Sequence, residues 1–292
     1  MKRNHLIILM VLLALGQQNL SAQSHIISTK SVHGGVFLGD SEEYTYNLSD
    51  KEYYRIEYDC FHSFKDSPEE GIKDKKYLQI GSSTSKFLSK IHFQMDSAAL
   101  YTPDRMNYSS IKDLHKMDPV YVYECYFIDH SSRKLTFTNR LEQDDFLYEE
   151  DLPDISWEIF ADSTITVCGF ECTKAMGTFR GRTFLAWFTL AIPSPSGPWK
   201  LGGLPGAILK AEDLEHRCSF EAVSVWEASK DIAMAEYPYY KVSKRKYLDL
   251  LKLRILKPVT FAVAHSNRNP FMKVKASAPD KPQREMCDLE IE

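Results

Sequence analysis

The residues best able to do chemistry in this chain are scattered rather than grouped. No G-x-S-x-G elbow presents a serine, and Ser194 and Ser196 sit between prolines with no histidine near them in sequence. Beyond residue 22 the histidines are His25, His33, His62, His92, His115, His130, His216 and His265. None has the H-E-x-x-H spacing that places two imidazoles on one helix face. Each reads as an ordinary surface or core polar residue. The densest group is EQDDFLYEEDLPD, with carboxylates at Glu142, Asp144, Asp145, Glu149, Glu150, Asp151 and Asp154. Hard oxygen ligands at that density suit calcium, but the glycine and alternating positions of an EF-hand loop are missing. A solvated acidic edge is the simpler reading. Two of them, Asp144 and Glu149, are the residues on which an envelope hydrolase built from dispersed carboxylates would rest. No catalytic residue, cofactor or metal ligand is assigned from sequence.

Six cysteines remain: Cys60, Cys125, Cys168, Cys172, Cys218 and Cys287. Their even number suits an oxidising compartment and up to three disulfides, among about 15 pairings that sequence alone leaves open. Cys168 and Cys172, four apart on a regular strand, would share a face. Without a second matching pair they do not make a zinc site.

Trp157, Phe184, Trp187, Phe188 and Trp199 form an aromatic group on neighbouring segments. Such rings usually build a core, and the alternative is a cavity for a lipid or other apolar ligand. Arg180, Arg182 and Lys200 lie close by, where they would either grip an anionic head group or flank a hairpin in solvent.

The rest of the chain supplies the framework that holds these side chains. Residues 1–22 carry Lys2 and Arg3, an apolar run from Leu6 to Leu15, and Ser21-Ala22. This is the pattern of a signal peptide cleaved after Ala22, and the run is too short to span a bilayer as a helix. Loss of Lys2 and Arg3 moves the formal charge from −4 to −6. No basic face for nucleic acid follows from such a balance. Residues 23–292 are long enough for a sizeable core and read as a single β-rich domain.

Alternating aromatic and polar residues mark strands at 53–64, 77–81 and 87–95, followed by a partly helical excursion over 97–118. The runs VYVYECYFID and RKLTFTNRL form a pair across HSS. Two further strands are expected at about 164–175 and 182–190, with Gly177 and Gly181 at the turn between them. AILKAED and RCSFEAVSVWEA make another pair. Ser243 caps a helix over KRKYLDLLKLRILK, with an apolar stripe of Tyr247, Leu248, Leu250, Leu251 and Leu253, stopped by Pro258. The fold class is mainly β (α+β): a curved antiparallel sheet or incomplete barrel with one or two packed helices.

Between the strands lies GPWKLGGLPGAILK. Prolines around Ser194 and Ser196 cannot join a ladder, and Leu204-Pro205-Gly206 fits a type II turn with Gly206 at positive φ. Gly197, Pro198, Trp199, Gly202, Gly203, Leu204, Pro205 and Gly206 thus form a stiff corner anchored by Trp199, Leu201 and Leu204. This stretch resembles the signature of the GLPGLI (Porph_ging) family of exported proteins of Gram-negative Bacteroidota. YLQIGSSTSKFLS, FLYEEDLPDISWEI, CGFECTKAMGTFRGRTFLAWFTLAIP and the terminal DLEIE resemble further family blocks, in the family's order. Ala207 stands where the family name has Leu. The resemblance implies a secreted, β-rich protein and implies no activity. The function expected is that of a non-enzymatic binding protein of the periplasm or outer membrane, acting on an apolar small molecule, a lipid or an envelope protein complex.

Overall fold

The computed structural model describes residues 28–33, 43–101, 123–142, 144–236, 238–265 and 279–287. The expected signal peptide, most of the 97–118 excursion and the terminal DLEIE lie outside the described residues. The chain is mainly β, as its alternating pattern requires, and is built around a large, curved, unclosed sheet.

Its strands, in chain order, are β1 (Ser28–His33), β2 (Glu43–Lys51), β3 (Tyr54–Phe64), β4 (Ser67–Ile80), β5 (Thr84–Ser89), β6 (Cys125–Asp129), β7 (Lys134–Leu141) and β8 (Asp144–Asp151). These are followed by β9 (Trp157–Val167), β10 (Phe170–Phe179), β11 (Arg182–Thr189), β12 (Ala207–Asp213), β13 (Cys218–Glu227), β14 (Asp231–Ala235) and β15 (Tyr240–Lys241). Twelve of them form one sheet in the order β15-β8-β7-β6-β5-β4-β3-β13-β12-β11-β10-β9, while β1, β2 and β14 make a separate three-stranded sheet. Every pair in the large sheet is antiparallel except the short β15–β8 contact. Consecutive strands joined by tight turns therefore account for most of the order. The exceptions are the short β15–β8 contact and β3 beside β13, which closes a long loop of chain.

Strand parity puts Tyr58, Lys76, Phe87, Tyr126, Phe137 and Phe220 on one face, because these are register partners or sit two residues from one. That inner face is the main core, with Tyr58, Leu78, Phe87, Phe137 and Phe184 essentially inaccessible. Curvature brings distant strands together over it: the Tyr58 hydroxyl donates to the Ile208 carbonyl at 2.5 Å. The other face is covered in part by the helix α1 (Lys90–Tyr101), through Tyr77, Leu88, Phe93 and Cys125.

Several expectations are corrected here. Residues 87–95 are not one strand. The ladder stops at Ser89, whose hydroxyl accepts the His92 N–H at 3.0 Å and so caps α1. Residues 164–175 are a hairpin, since Cys168 (φ 52°) and Gly169 (φ 82°) supply the two positive-φ positions of a tight turn. Arg180 (φ 44°) and Gly181 (φ 80°) do the same between β10 and β11, while Gly177 lies inside β10. Cys168 is consequently a turn residue and does not share a strand face with Cys172.

The late helix α2 (Lys244–Leu256) is capped by Ser243, which accepts the Lys246 N–H at 3.2 Å. Only part of its stripe is covered. Tyr247 packs on Phe137 and Tyr148, whereas Leu248 and Leu253 are exposed. Pro258 ends α2 and also begins a further helix, α3 (Pro258–His265), where a missing N–H costs nothing. No helix among the described residues is long and apolar enough to cross a membrane.

Candidate functional site

The corner from Ser194 to Gly206 lies against the inner face of the sheet and is the centre of the site. Its backbone is held by Gly203 N–H to Pro195 O (2.9 Å), Leu201 N–H to Pro198 O (3.0 Å) and Ile208 N–H to Ser196 O (3.1 Å). Trp199 adopts φ 55° within it. Its ring is buried edge-on to Phe179 at 5.5 Å and tilted over Phe184 at 6.1 Å. The type II turn expected at Leu204-Pro205-Gly206 is not formed. Positive φ falls at Gly203 (85°) instead, and Gly206 is required for a different reason. A Cβ there would stand 2.0 Å from the Thr189 carbonyl oxygen, so the corner crosses β11 with no room for a side chain.

Two cavities flank this corner. The larger, about 210 Å³, is lined by the corner's Ser196, Gly197 and Lys200 to Gly203, with His130, Arg133 and Asp154 opposite. Here the structure joins residues that sequence left apart. Ser196 Oγ lies 3.1 Å from His130 Nε2, the Ser194 hydroxyl donates to Ser196 Oγ at 2.9 Å, and Ser85 Oγ is 3.0 Å from the same His130 nitrogen. Burial holds the His130 pKa below its ordinary value, leaving the imidazole neutral at pH 7.

The smaller cavity, 60 Å³, opens on the inner face where β3, β4, β5, β6 and β13 meet the corner. Phe61, Ile72, Phe87, Tyr126, Trp199, Phe220 and Met286 supply apolar walls, and Cys60, His62, Asp74, Lys76, Glu124 and Cys218 complete them. Lys76 Nζ lies 3.3 Å from Glu124 Oε2, 3.8 Å from Asp74 Oδ2 and 5.9 Å from the centre of the Phe87 ring. Burial alone would lower the Lys76 pKa, but Glu124 and Asp74 outweigh it and raise the value. Burial raises that of Asp74, with Lys76 opposing. Asp74 Oδ2 is buried without a hydrogen-bond partner. His62 donates from Nε2 to the Cys287 carbonyl at 2.6 Å, and burial lowers its pKa to about 4. Burial likewise pushes the Cys60 and Cys218 thiols well up, so both stay protonated.

The sequence-selected aromatics divide. Phe184, Phe188 and Trp199 are core, and Trp157 and Trp187 are partly buried against it. Of the five, Trp199 alone lines either of these two cavities. Trp157 braces the corner by donating from Nε1 to the Gly202 carbonyl at 2.9 Å. None of the six cysteines is joined in a disulfide in the structure. Cys287 accepts from Arg182 at 2.8 Å.

The basic trio is engaged in ion pairs. Arg182 pairs with Asp213 at 2.7 Å, and Arg180, Lys200 and Lys244 converge on Glu150. The acidic segment is β8 and its flanks, and it divides: Glu149, Asp151 and Asp154 are exposed, as a solvated edge requires, while Glu142, Asp144, Asp145 and Glu150 are largely buried in ion pairs. Glu142 pairs with Arg254, Asp145 with Arg140, Asp151 with Lys134 and Asp154 with Arg133. Asp144 and Glu149 are five apart on a regular strand and so face opposite sides. Among the described residues no group of three or more His, Cys, Asp or Glu is arranged to hold a metal ion.

Fold and site together define a class: an open, curved β-sheet protein whose glycine-rich corner plugs the inner face between two cavities. No family model matches the chain, and no curated protein matches it. Two solved structures of PNGF-II are similar, one in space group P21 and one in C2. The identities are 15% and 16% and the TM-scores 0.47 and 0.45, covering 68% and 67% of this chain. The likeness covers 32% of each of those chains, so this chain spans about a third of their length.

Proposed function

We propose that this is an exported binding protein of the GLPGLI family, non-enzymatic, periplasmic or outer-membrane-associated, which holds a small, largely apolar ligand in the 60 Å³ cavity. Residues 1–22 are its signal peptide. The observation that carries the reading is the cavity itself, in which aromatic walls meet a few polar and charged groups with perturbed pKa values. Aromatic walls with a few placed polar groups are the usual lining of a small-molecule site, here at a volume well below the about 300–1,000 Å³ of drug-sized pockets. The corner residues of the family-like signature serve it by fixing Trp199 as one wall. Native mass spectrometry of the exported protein, compared with its denatured mass, tests the reading. Extra mass lost on denaturation is expected. Filling the cavity by Ile72→Phe should abolish it, while Trp187→Ala, outside the cavity, should leave it. A bare native mass together with no binding of added small apolar molecules rejects it.

A second reading, an envelope hydrolase, rests on the 3.1 Å contact between Ser196 and His130. In it Ser196 Oγ bonds to the carbonyl carbon of an ester. Its proton passes to His130 Nε2 and then to the leaving alkoxide, and water releases the acyl group. Labelling by a fluorophosphonate, lost in Ser196→Ala and absent at Ser85, would support this. No labelling at Ser196 rejects it.

A further inference from the structure

Lys76 lies between two carboxylates, Asp74 at 3.8 Å and Glu124 at 3.3 Å. One cation against two anions leaves a net charge of −1. The other titratable groups on the wall do not change it: His62, with a pKa of about 4, is neutral, and Cys60 and Cys218 keep their protons. The Asp74 side chain is only 7% exposed, and its Oδ2 has no hydrogen-bond donor. A buried carboxylate oxygen left so is unfavourable until a donor reaches it. The remaining wall is aromatic, through Phe87, Tyr126, Phe220 and Trp199. Aromatic faces attract cations. A volume of 60 Å³ holds a handful of heavy atoms, since one water needs about 10–15 Å³ by the same measure.

We propose that the cavity selects a small primary amine, its ammonium donating to Asp74 and its short apolar chain lying among Phe87, Phe220 and Trp199. The proposal rests on the binding reading above and names the ligand's class. A neutral alcohol of the same length satisfies the oxygen without cancelling the charge. A carboxylate adds a second repulsion. Amine should therefore exceed alcohol, and alcohol exceed carboxylate.

The test is a titration of the full protein at pH 7.5 with n-butylamine, n-butanol and butyrate, followed by the indole N–H resonance of Trp199. Binding of n-butylamine at least tenfold tighter than n-butanol is expected. Asp74→Asn should erase that preference. Glu124→Gln, which also brings the net charge to zero but leaves Asp74 in place, should reduce it, and it covers the case in which the Asp74 variant fails to fold. Equal affinity for amine and alcohol, or an amine preference that survives in folded Asp74→Asn, overturns the amine class while the cavity stands. No response of Trp199 to any of the three overturns the cavity reading and this proposal together.

Discussion

Trp199 is the residue through which the corner, the core and the smaller cavity depend on one another, and its replacement has a calculable effect. The ring is 4% exposed and contacts Phe179 and Phe184 at centroid distances of 5.5 and 6.1 Å. Removing a buried Trp side chain costs about 3–5 kcal/mol, from lost transfer energy and the void left behind. The void here merges with an existing 60 Å³ cavity, which hinders collapse and puts Trp199→Ala at the upper end, about 4–5 kcal/mol. Backbone conformation supplies a sharper comparison. Trp199 sits at φ 55°, where any residue with a Cβ is strained by about 1–2 kcal/mol. Gly is normally about 0.5–1 kcal/mol worse than Ala within regular structure, but here the order should invert, with Trp199→Gly the more stable of the two. Urea unfolding followed by far-ultraviolet circular dichroism reads both variants. With a denaturant slope of about 3 kcal/mol per molar, the Ala variant should lose about 1.3–1.7 M in midpoint. A loss under about 0.3 M, or a Gly variant clearly below Ala, would show that Trp199 does not brace the core in this way.

Gly206→Ala must push its Cβ away from a carbonyl oxygen 2.0 Å distant. It should cost at least about 1–3 kcal/mol, as overpacking does, seen as a lowered thermal midpoint. An unchanged midpoint would contradict the close crossing. The Lys86 ammonium is buried between Asp96 Oδ2 at 2.7 Å and the Ala233 carbonyl at 2.6 Å. Lys86→Met should cost about 3–5 kcal/mol by stranding Asp96, with much of the loss recovered in Lys86→Met/Asp96→Leu. Equal loss in the single and double variants would show that the stranded charge is not the cause. His92 is buried, and that burial lowers its pKa to about 4. The unfolded chain then binds a proton near pH 6.5 that the native state refuses, so stability is full above pH 6.5 and falls as pH drops towards 4. The slope is about 1.4 kcal/mol per pH unit for each such histidine. His92→Leu should flatten the urea midpoint against pH over that window relative to the parent. A parallel pair of curves would count against it.

Most strands were legible because a half-buried strand must alternate. Tyr54–Phe64, Lys134–Leu141 and Arg182–Thr189 show it plainly, and their pairings follow from short connections. Two expectations fail for local reasons. FLSKIHFQM alternates well enough to pass for one strand, although Ser89, three residues before His92, already carried the cap signal. In VCGFE the single Gly169 marked a hairpin turn that the glycines at 177 and 181 overshadowed. The aromatic group is apolar by residue type alone, but which rings fill core and which line a cavity depends on the curvature of twelve strands, and periodicity does not encode that. Ser196 and His130 lie 66 residues apart, and nothing local marks either.

The β-rich class and the stiff corner at 197–206 are written locally in the chain. These are consequences of short-range sterics, alternation and φ restriction that each residue carries wherever it is placed. Where charge and space meet is set by long-range packing. Asp74, Lys76 and Glu124 come together with Phe87, Trp199 and Phe220 because β3 pairs with β13 across more than half the chain and the sheet then bends over the corner. A long-range pairing of this kind is selected by the burial of the whole inner face, and no segment of the chain contains that information alone.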